Sequence, residues 1–389
     1  MQIKLIALAV ASLASSAAFA QSTNTIYGIL DVNATSMDSG FGQKLSLGHS
    51  GMGATRIGLN GERNLGTGLK AVYVMEAAVS LDNGVVGNGA TTNGINNNFP
   101  SSGALIGNGS QIFARQVFFG LKNDLGSLTI GRQYTGSYLV AAGVGNSLGA
   151  GLFGYSAAVT PLIGGMPTRV NSSLVYSSPK LNGFSTQITL TTGNENNVDT
   201  NTVVGTTTTN SNAGRGLDAA LFYSNGPFSA AVTTWNVANT SFVTAGETDL
   251  ATKKGVQLAA NYDFGFLKIY GTYVKGEISG GNYENVTKTL SKASAWSLSG
   301  STPVGNKGRV LASYTKLDDE SSLNKDANLI GLAYTYSLYE KTTLYASWGK
   351  MSNDTNSNYS LANGGDLVGS VNTPGFSPTG FMVGINMAF

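Results

Sequence analysis

Segments in which apolar residues occupy every second position recur along the chain after residue 20. They include residues 184–191, 217–224, 256–262, 330–336 and 380–389. A repeat of two places successive side chains on opposite faces of an extended strand, so each segment indicates a strand with one apolar face and one mixed face. No long segment of the sequence has the helical repeat. The pattern therefore predicts an all-β protein.

The connectors between these segments are of two kinds, and the two kinds alternate strictly along the chain. Seven are short and rich in turn-forming residues, and they cover residues 64–68, 123–126, 179–183, 225–227, 263–265, 303–307 and 338–341. Eight are long and rich in Gly, Asn, Ser and Thr, and they lie near residues 37–54, 81–111, 134–168, 193–215, 237–253, 277–292, 317–326 and 352–377. Fifteen connectors imply sixteen strands, with both chain ends on the short-turn side.

An even number of antiparallel strands can close into a barrel in which the strand near residues 25–36 pairs with the last strand. Closure is required in lipid, because lipid offers no hydrogen-bond partners for a free strand edge. Only 11% of the residues are charged, against about 25% in an ordinary globular protein. A water-soluble β-sandwich is the alternative, but it usually carries more charge and has short connectors at both ends. The sequence therefore predicts a 16-stranded antiparallel transmembrane β-barrel over residues 21–389, with its apolar face outward.

The first twenty residues are typical of a secretory signal peptide. Lys4 precedes an apolar run, and residues 18–20 form an A-x-A cleavage site. The alternative is a cytosolic helix. We expect the mature chain to begin at Gln21 and to be exported. No later stretch approaches the ~18 apolar residues of a spanning helix.

The composition also limits the kinds of ligand that we expect. The formal net charge of +2 is too small to indicate nucleic acid binding. The chain has no cysteine and a single histidine, His49, which argues against the usual multi-histidine metal sites. The segment 149–154 fits G-x-G-x-x-G, but no helical pattern follows it and the expected acidic residue is missing. We therefore predict no cofactor, no metal site and no enzymatic activity.

Several short stretches occur in an order and spacing that resemble a known family. They are TIYGILD at 25–31, RIGLNG at 56–61, GLKA at 68–71, GSLTIGRQ at 126–133 and the terminal Phe389. Together they resemble the general porins of Gram-negative bacteria, of the β-proteobacterial type. The resemblance implies a homotrimeric outer-membrane channel for passive diffusion of small anionic and neutral solutes, surrounded by lipid and lipopolysaccharide. It also implies that the third long loop, 134–168, folds into the lumen as a constriction, and that Phe389 is a signal for the outer-membrane assembly machinery.

Strand parity assigns many of the charged residues to the lumen, because a charge on the lipid face near the membrane midplane costs about 2–4 kcal/mol. Around each assigned residue the apolar neighbours occupy the other parity. Five charges point inward on this basis, namely Arg56, Glu62, Lys70, Glu76 and Arg169. Asp31 also has the inward parity, although it shares that face with Ile29. We expect Glu62, Glu76 and Asp31 to orient the arginines.

Two further arginines do not follow the parity rule. Arg115 shares its parity with Val117 and Phe119, and Arg132 shares its parity with Ile130. A β-bulge at the preceding glycine, residue 131, would turn Arg132 inward. Parity alone leaves the direction of both side chains open.

The resemblance adds that Arg56, Arg115 and Arg169 match basic positions that line the constriction of anion-selective relatives, and that Glu76 matches an acidic neighbour. From Leu125 to Asn194, 70 residues that include the predicted constriction loop, the chain has no Asp or Glu. An uncompensated arginine in a narrow pore favours anions by about tenfold. We therefore predict anion preference, with Arg56, Arg115, Arg132, Arg169 and Lys70 as the basic pore residues. The alternative is that these arginines only brace the wall.

Two other functions remain open at this point. One is a solute-specific channel for a defined anionic nutrient. The other is a surface adhesin that acts through its long Asn/Thr-rich loops, such as residues 194–212. The acidic run 318–320 in a long loop is a further candidate, for divalent cations that bridge lipopolysaccharide.

Overall fold

The computed structural model describes residues 22–38, 40–82, 84–87, 112–148, 151–155, 163, 165–193, 201–203, 206–208, 214–238, 252–279, 291–361, 371 and 373–389. The predicted signal peptide lies outside these residues. Within these ranges no helix is long and apolar enough to cross a membrane.

The described part of the chain is built almost entirely of strands. They are β1 (Ser22–Asp38), β2 (Gln43–His49), β3 (Arg56–Gly66), β4 (Leu69–Ala78), β5 (Gln116–Asn123), β6 (Gly126–Tyr134), β7 (Arg169–Ser177), β8 (Phe184–Thr192), β9 (Asn201–Val203), β10 (Thr206–Thr208), β11 (Arg215–Asn225), β12 (Phe228–Ala238), β13 (Thr252–Asp263), β14 (Lys268–Ser279), β15 (Lys292–Val304), β16 (Gly308–Asp319), β17 (Ala327–Tyr339), β18 (Thr342–Asn353) and β19 (Thr379–Ala388). One short helix, α1 (Gly136–Leu139), continues into a π-helical turn (Val140–Val144).

The strands close into an antiparallel barrel with sixteen positions around its circumference. β1 pairs with β19 on one side. On its other side, β1 pairs through its first half with β3 and through its second half with β2, so β2 and β3 share one position. From β3 onward, each barrel strand pairs with the next, except that β8 pairs directly with β11. The predicted 16-stranded barrel is thus confirmed.

The predicted connectors agree with this arrangement in all but two respects. Each of the seven short turns joins two paired strands. The first long connector, 37–54, contains β2, and the fourth, 193–215, contains the β9–β10 hairpin, and neither element was predicted from the sequence. Neither segment has an alternating apolar pattern long enough to indicate a barrel strand.

The two faces of the strands have the environments that the alternation predicted. Leu258 and Ile330 are 49% and 39% exposed on the outside, whereas Gln257 is completely buried on the inside. In the last strand, Phe381 and Val383 are exposed while Met382 is buried. The apolar parity therefore forms the outer surface of the barrel.

The C-terminal residue completes the closure. The amide of Phe389 donates to the carbonyl oxygen of Gly28 at 3.1 Å, and the amide of Gly28 donates back to Phe389 at 3.3 Å. The Phe389 ring covers Gly28 so closely that a Cβ atom on residue 28 would overlap the ring, and it would also lie 2.8 Å from the carbonyl oxygen of Arg56. The chain thus ends paired against the first strand instead of fraying.

Candidate pore constriction

The described residues that follow β6, 135–148 and 151–155, pack against the inner face of the barrel, and their first turn is fixed to β11 by Asp218. Thr135 caps α1 by accepting a hydrogen bond from the amide of Tyr138 at 3.2 Å. The Ser137 amide donates to the Asp218 carboxylate at 3.1 Å, and the Ser137 hydroxyl donates to the same oxygen. Asp218 is completely buried. The contact joins residues 81 positions apart in the chain, so no local sequence pattern indicates it.

Further along the chain, the segment lies against the inner wall formed by β13, β14 and β15. The Asn261 side chain on β13 donates to the carbonyl oxygen of Val144 at 2.9 Å. The Thr272 hydroxyl on β14 donates to the carbonyl oxygen of Gly145 at 2.9 Å. The Ser147 amide donates to the Ser299 hydroxyl on β15 at 3.2 Å. Through these contacts, backbone groups of the segment pair with polar side chains on the inner face of the three strands.

A niche of three glycines receives the segment at β17, β18 and β19. Gly331, Gly349 and Gly380 are register partners across these strands, and the fully buried Phe153 packs against them. A Cβ atom on Gly349 would lie 2.6 Å from the Phe153 Cβ, and one on Gly380 would lie 2.8 Å from its Cε2. The Phe153 amide also donates to Ser347 at 3.0 Å. Only glycine leaves room for the ring at these three positions. The segment is therefore held at Ser137 and again at Phe153.

The wall formed by β3 to β7 carries a cluster of charges around Glu76. The Nε of Arg115 lies 2.6 Å from Oε1 of Glu76, and Nη1 of Arg56 lies 3.5 Å from its Oε2. The Tyr27 hydroxyl donates to the same Oε2 at 3.0 Å. Glu76 is 2% exposed, so its charge is fully engaged within the wall.

The two arginines that parity left open both join this cluster. Arg115 precedes the first residue of β5, so the alternation of that strand does not fix its direction, and its amide donates to the carbonyl oxygen of Glu76. Arg132 follows a bulge, since Gly131 has a φ of +139° and the register shifts between Gly131 and Gln133. The predicted bulge is therefore present.

The bulge brings the Arg132 side chain into contact with neighbouring segments of the same wall. Its Nε donates to the carbonyl oxygen of Ala114 at 2.7 Å, and its Nη1 donates to Asn171 at 2.5 Å. It also lies within electrostatic range of Arg115 and Arg169.

Arg169 begins β7 and lies over the face of a tyrosine that the sequence analysis did not single out. Its guanidinium carbon is 5.0 Å from the centroid of the Tyr134 ring. Tyr134 stacks on Tyr138 with a centroid separation of 4.9 Å and an interplanar angle of 16°. The Tyr134 hydroxyl accepts a hydrogen bond from Arg115 Nη2 at 2.5 Å. Tyr134 is the last residue of β6 and the register partner of Arg169 on β7, whereas Tyr138 lies in α1 and is brought to this pair by the turn that follows β6.

Among the described residues the cluster holds four guanidinium groups, from Arg56, Arg115, Arg132 and Arg169, and one carboxylate, from Glu76. The segment that faces this wall has no acidic residue in its sequence. The cluster therefore carries a net charge of about three positive units at neutral pH.

Glu62 and Lys70 lie elsewhere. The Lys70 ammonium is 2.9 Å from Glu62, and that of Lys122 is 3.3 Å from it, and all three side chains are exposed. Glu62 is six residues from Arg56 along β3, which corresponds to about 20 Å of strand. The prediction that Glu62 and Lys70 take part in the arginine cluster is corrected, since they form an ion-paired group near the short-turn end.

Asp31 has a different role from the predicted one. It is fully buried, and it accepts hydrogen bonds from the amides of residues 51–53 at 2.8–3.0 Å. Tyr345 and Asn386 donate to it at 2.6 and 2.8 Å. Asp31 therefore fixes the first connector to the inner wall and, among the described residues, does not orient an arginine.

His49 ends β2 and is buried, whereas the sequence analysis placed it in a loop. Its Nδ1 lies 2.8 Å from the Ser50 hydroxyl and its Nε2 lies 2.8 Å from the Ser80 hydroxyl. Ser80 donates onward to Asp82 at 2.8 Å. Both ring nitrogens are thus engaged in contacts that join two connectors.

Comparison with known proteins agrees with this architecture. A sequence model of the family described as Gram-negative porin matches residues 7–356. The chain is 30% identical over 402 aligned positions to outer membrane porin protein 32 of Delftia acidovorans, with 100% of both chains covered. Its fold is similar to that of an anion-selective porin from Comamonas acidovorans, with a TM-score of 0.72, 25% identity, and coverage of 95% of this chain and 100% of that one. It is also similar to the trimer form of OmpT, an outer membrane protein of Vibrio cholerae, with a TM-score of 0.65, 16% identity, and coverage of 95% and 99%. The chain therefore belongs to the Gram-negative porin family and is a β-barrel of the outer membrane.

Proposed function

We propose that the protein is a passive diffusion channel that prefers anions, with its constriction between the arginine cluster and the segment 134–168. The observation that carries the proposal is the imbalance of charge, because four guanidinium groups share one carboxylate on one side and the facing segment supplies none. The similarity to an anion-selective porin agrees with this reading. No bond is made or broken, and small neutral solutes pass according to their size.

The size of the effect follows from Coulomb's law. Two unit charges about 5 Å apart interact by about 0.8 kcal/mol in water and by about 3 kcal/mol at an effective dielectric constant of 20. The Debye length at physiological ionic strength is about 8 Å, so salt does not fully screen an ion that passes next to the wall. The same charge attracts an anion and repels a cation, so even in water the two ions differ by about 1.6 kcal/mol, and a single uncompensated guanidinium group favours the anion by at least about tenfold. The preference should weaken as the salt concentration rises.

Reversal potentials in a potassium chloride gradient across a planar bilayer test the proposal. The wild-type channel should pass chloride in clear preference to potassium, and Arg169→Gln should lower the permeability ratio by about tenfold. Lys122→Gln is the matched control, because it removes one positive charge near the short-turn end, where Lys122 pairs with Glu62. Equal permeability of the two ions through the wild-type channel would refute anion preference.

We also propose that the channel is a homotrimer. A porin-fold relative, OmpT, exists in a trimer form. In this chain, six described strand residues with large apolar side chains are more than 55% exposed, and five of them lie in β1, β2, β5 and β6, namely Ile26, Leu45, Leu47, Phe119 and Ile130. The sixth, Tyr339, is the last residue of β17 and lies next to a short turn. Contact with neighbouring subunits would cover the surface that the first five form. Leu47→Glu should shift the protein from trimer to monomer in native mass spectrometry, whereas Leu258→Glu on the far side of the barrel should not.

From the family resemblance, we expect lipid and lipopolysaccharide to surround the barrel. We also expect the outer-membrane assembly machinery to recognise Phe389. The proposed cation bridge to lipopolysaccharide has less support, because Glu320 is paired with Lys275 at 2.7 Å and with Lys292 at 3.1 Å. The adhesin alternative rests on residues 194–212, of which only 201–203 and 206–208 are described. A solute-specific channel is favoured by one observation, the stack of Tyr134 and Tyr138 beside the arginines.

A further inference from the structure

A cation and two aromatic rings form one continuous stack beside the proposed constriction. The guanidinium group of Arg169 lies 5.0 Å from the centre of the Tyr134 ring, and the Tyr138 ring lies 4.9 Å from Tyr134 and nearly parallel to it. All three residues are half-buried, so part of each remains accessible to a solute in the lumen. The stack therefore presents an accessible edge that is both cationic and aromatic.

The stack is held rigidly from both ends. The Tyr134 hydroxyl accepts from Arg115, which is itself fixed by its ion pair with Glu76. Tyr138 lies in α1, whose first turn is fixed by the contacts of Ser137 with the buried Asp218. A platform that does not need to be ordered on binding loses little conformational entropy when a ligand arrives.

Among the described residues, the positive charge at the stack has no carboxylate counter-ion of its own. Glu76 is engaged by Arg115 and Arg56, whereas Arg169 and Arg132 have no carboxylate partner in the described part of the chain. The Nε of Arg169 is buried and makes no hydrogen bond there. The two guanidinium groups also repel each other. An anion beside the two guanidinium groups offsets this repulsion and accepts hydrogen bonds from their remaining N–H groups.

We propose that this is a binding site for aromatic carboxylates within the channel. The carboxylate lies at Arg169 and Arg132, and the ring of the solute lies against the Arg169–Tyr134–Tyr138 stack. This inference rests on the proposed anion channel and narrows its solute class. Chloride and aliphatic carboxylates gain the charge attraction alone, whereas a flat aromatic anion also gains ring stacking and contact between its ring and the guanidinium group.

The test compares benzoate with cyclohexanecarboxylate, which have the same charge and similar size but differ in aromaticity. Each acid is added to the wild-type channel in a planar bilayer, and the transient block of the chloride current gives its residence time. The stacking contribution predicts a residence about two- to tenfold longer for benzoate. Tyr138→Leu keeps an apolar side chain and should remove most of the difference between the two acids. Tyr138→Phe keeps the ring and should preserve it.

The outcomes separate this inference from the proposed function. Tyr138→Leu should shorten the residence of benzoate and leave that of cyclohexanecarboxylate unchanged, whereas Arg169→Gln should lower both the chloride-to-potassium permeability ratio and the residence time of both acids. Equal residence of the two acids in the wild-type channel would overturn the aromatic site, even if the channel still prefers chloride. Loss of chloride preference in the wild type would instead overturn the anion channel itself. Heat-modifiable migration in gel electrophoresis verifies that each variant has folded into a barrel.

Discussion

The glycine niche of β17, β18 and β19 gives a direct test of how the segment 134–168 is held in the lumen. The perturbation is Phe153→Ala. The Phe153 side chain is completely buried, and loss of a buried phenylalanine costs about 3–5 kcal/mol. Nearby, the segment is also held by hydrogen bonds with Ser347 and Ser313, each worth about 1 kcal/mol. The ring is therefore the larger of the local contributions.

A loss of about 3 kcal/mol raises the population of the detached segment by about two orders of magnitude. We expect faster hydrogen exchange at residues 151–155 and larger fluctuations of the open-channel current, because a detached segment moves in the path of the ions. Gly349→Ala should have a similar effect through a different cause, since its new Cβ atom would lie 2.6 Å from the Cβ of Phe153.

Phe264→Ala is the matched control, because it removes the same side chain from a short turn where Phe264 is 51% exposed. It should leave both the exchange rates and the current noise at the wild-type level. If Phe153→Ala also leaves both unchanged, the glycine niche does not hold the segment, and the argument from burial is refuted.

Three further predictions concern closure, loop attachment and pH. Gly28→Val should lower the yield of folded barrel in detergent refolding, because the valine side chain would overlap the Phe389 ring. Adding Phe389→Ala should restore part of the yield, and no recovery would show that the ring contact is not the cause. Asp31→Ala should speed hydrogen exchange at residues 51–53, since all three amides lose their acceptor, and the loss at the buried Gly51 alone costs about 1–3 kcal/mol. Protection as in the wild type would contradict the assigned role. The hydrogen bond from Lys275 lowers the pKa of Glu320, so this pairing holds at neutral pH and is lost as the pH falls through the lowered pKa. In a carboxyl NMR titration, Lys275→Met should raise the midpoint of Glu320, and an unchanged midpoint would exclude the pairing.

The repeating contacts of the barrel could be predicted from the sequence. Each strand has its own alternation and each short turn its own turn residues, so a local pattern is sufficient to give the strand number, the outward face of Leu258 and the inward face of Gln257. The inward direction of Arg56 and Glu76 follows from the same local rule, because their neighbours in the strand are apolar on the opposite parity. The bulge at Gly131 could also be predicted from the sequence, since a glycine in a strand commonly marks such an irregularity.

The tertiary structure decided which of these inward residues meet. Glu62 and Asp31 obey the same parity as Glu76, yet one lies about 20 Å of strand away from the cluster and the other binds the amides of the first connector. The β6–β7 register places Tyr134 beside Arg169, whereas Tyr138 reaches Tyr134 only because the turn after β6 is fixed to Asp218, from which the segment continues to the glycines that receive Phe153. Alternation is a property of neighbouring residues and can be seen along the chain, whereas these contacts join residues that are distant in sequence, and their geometry exists only once the barrel has closed.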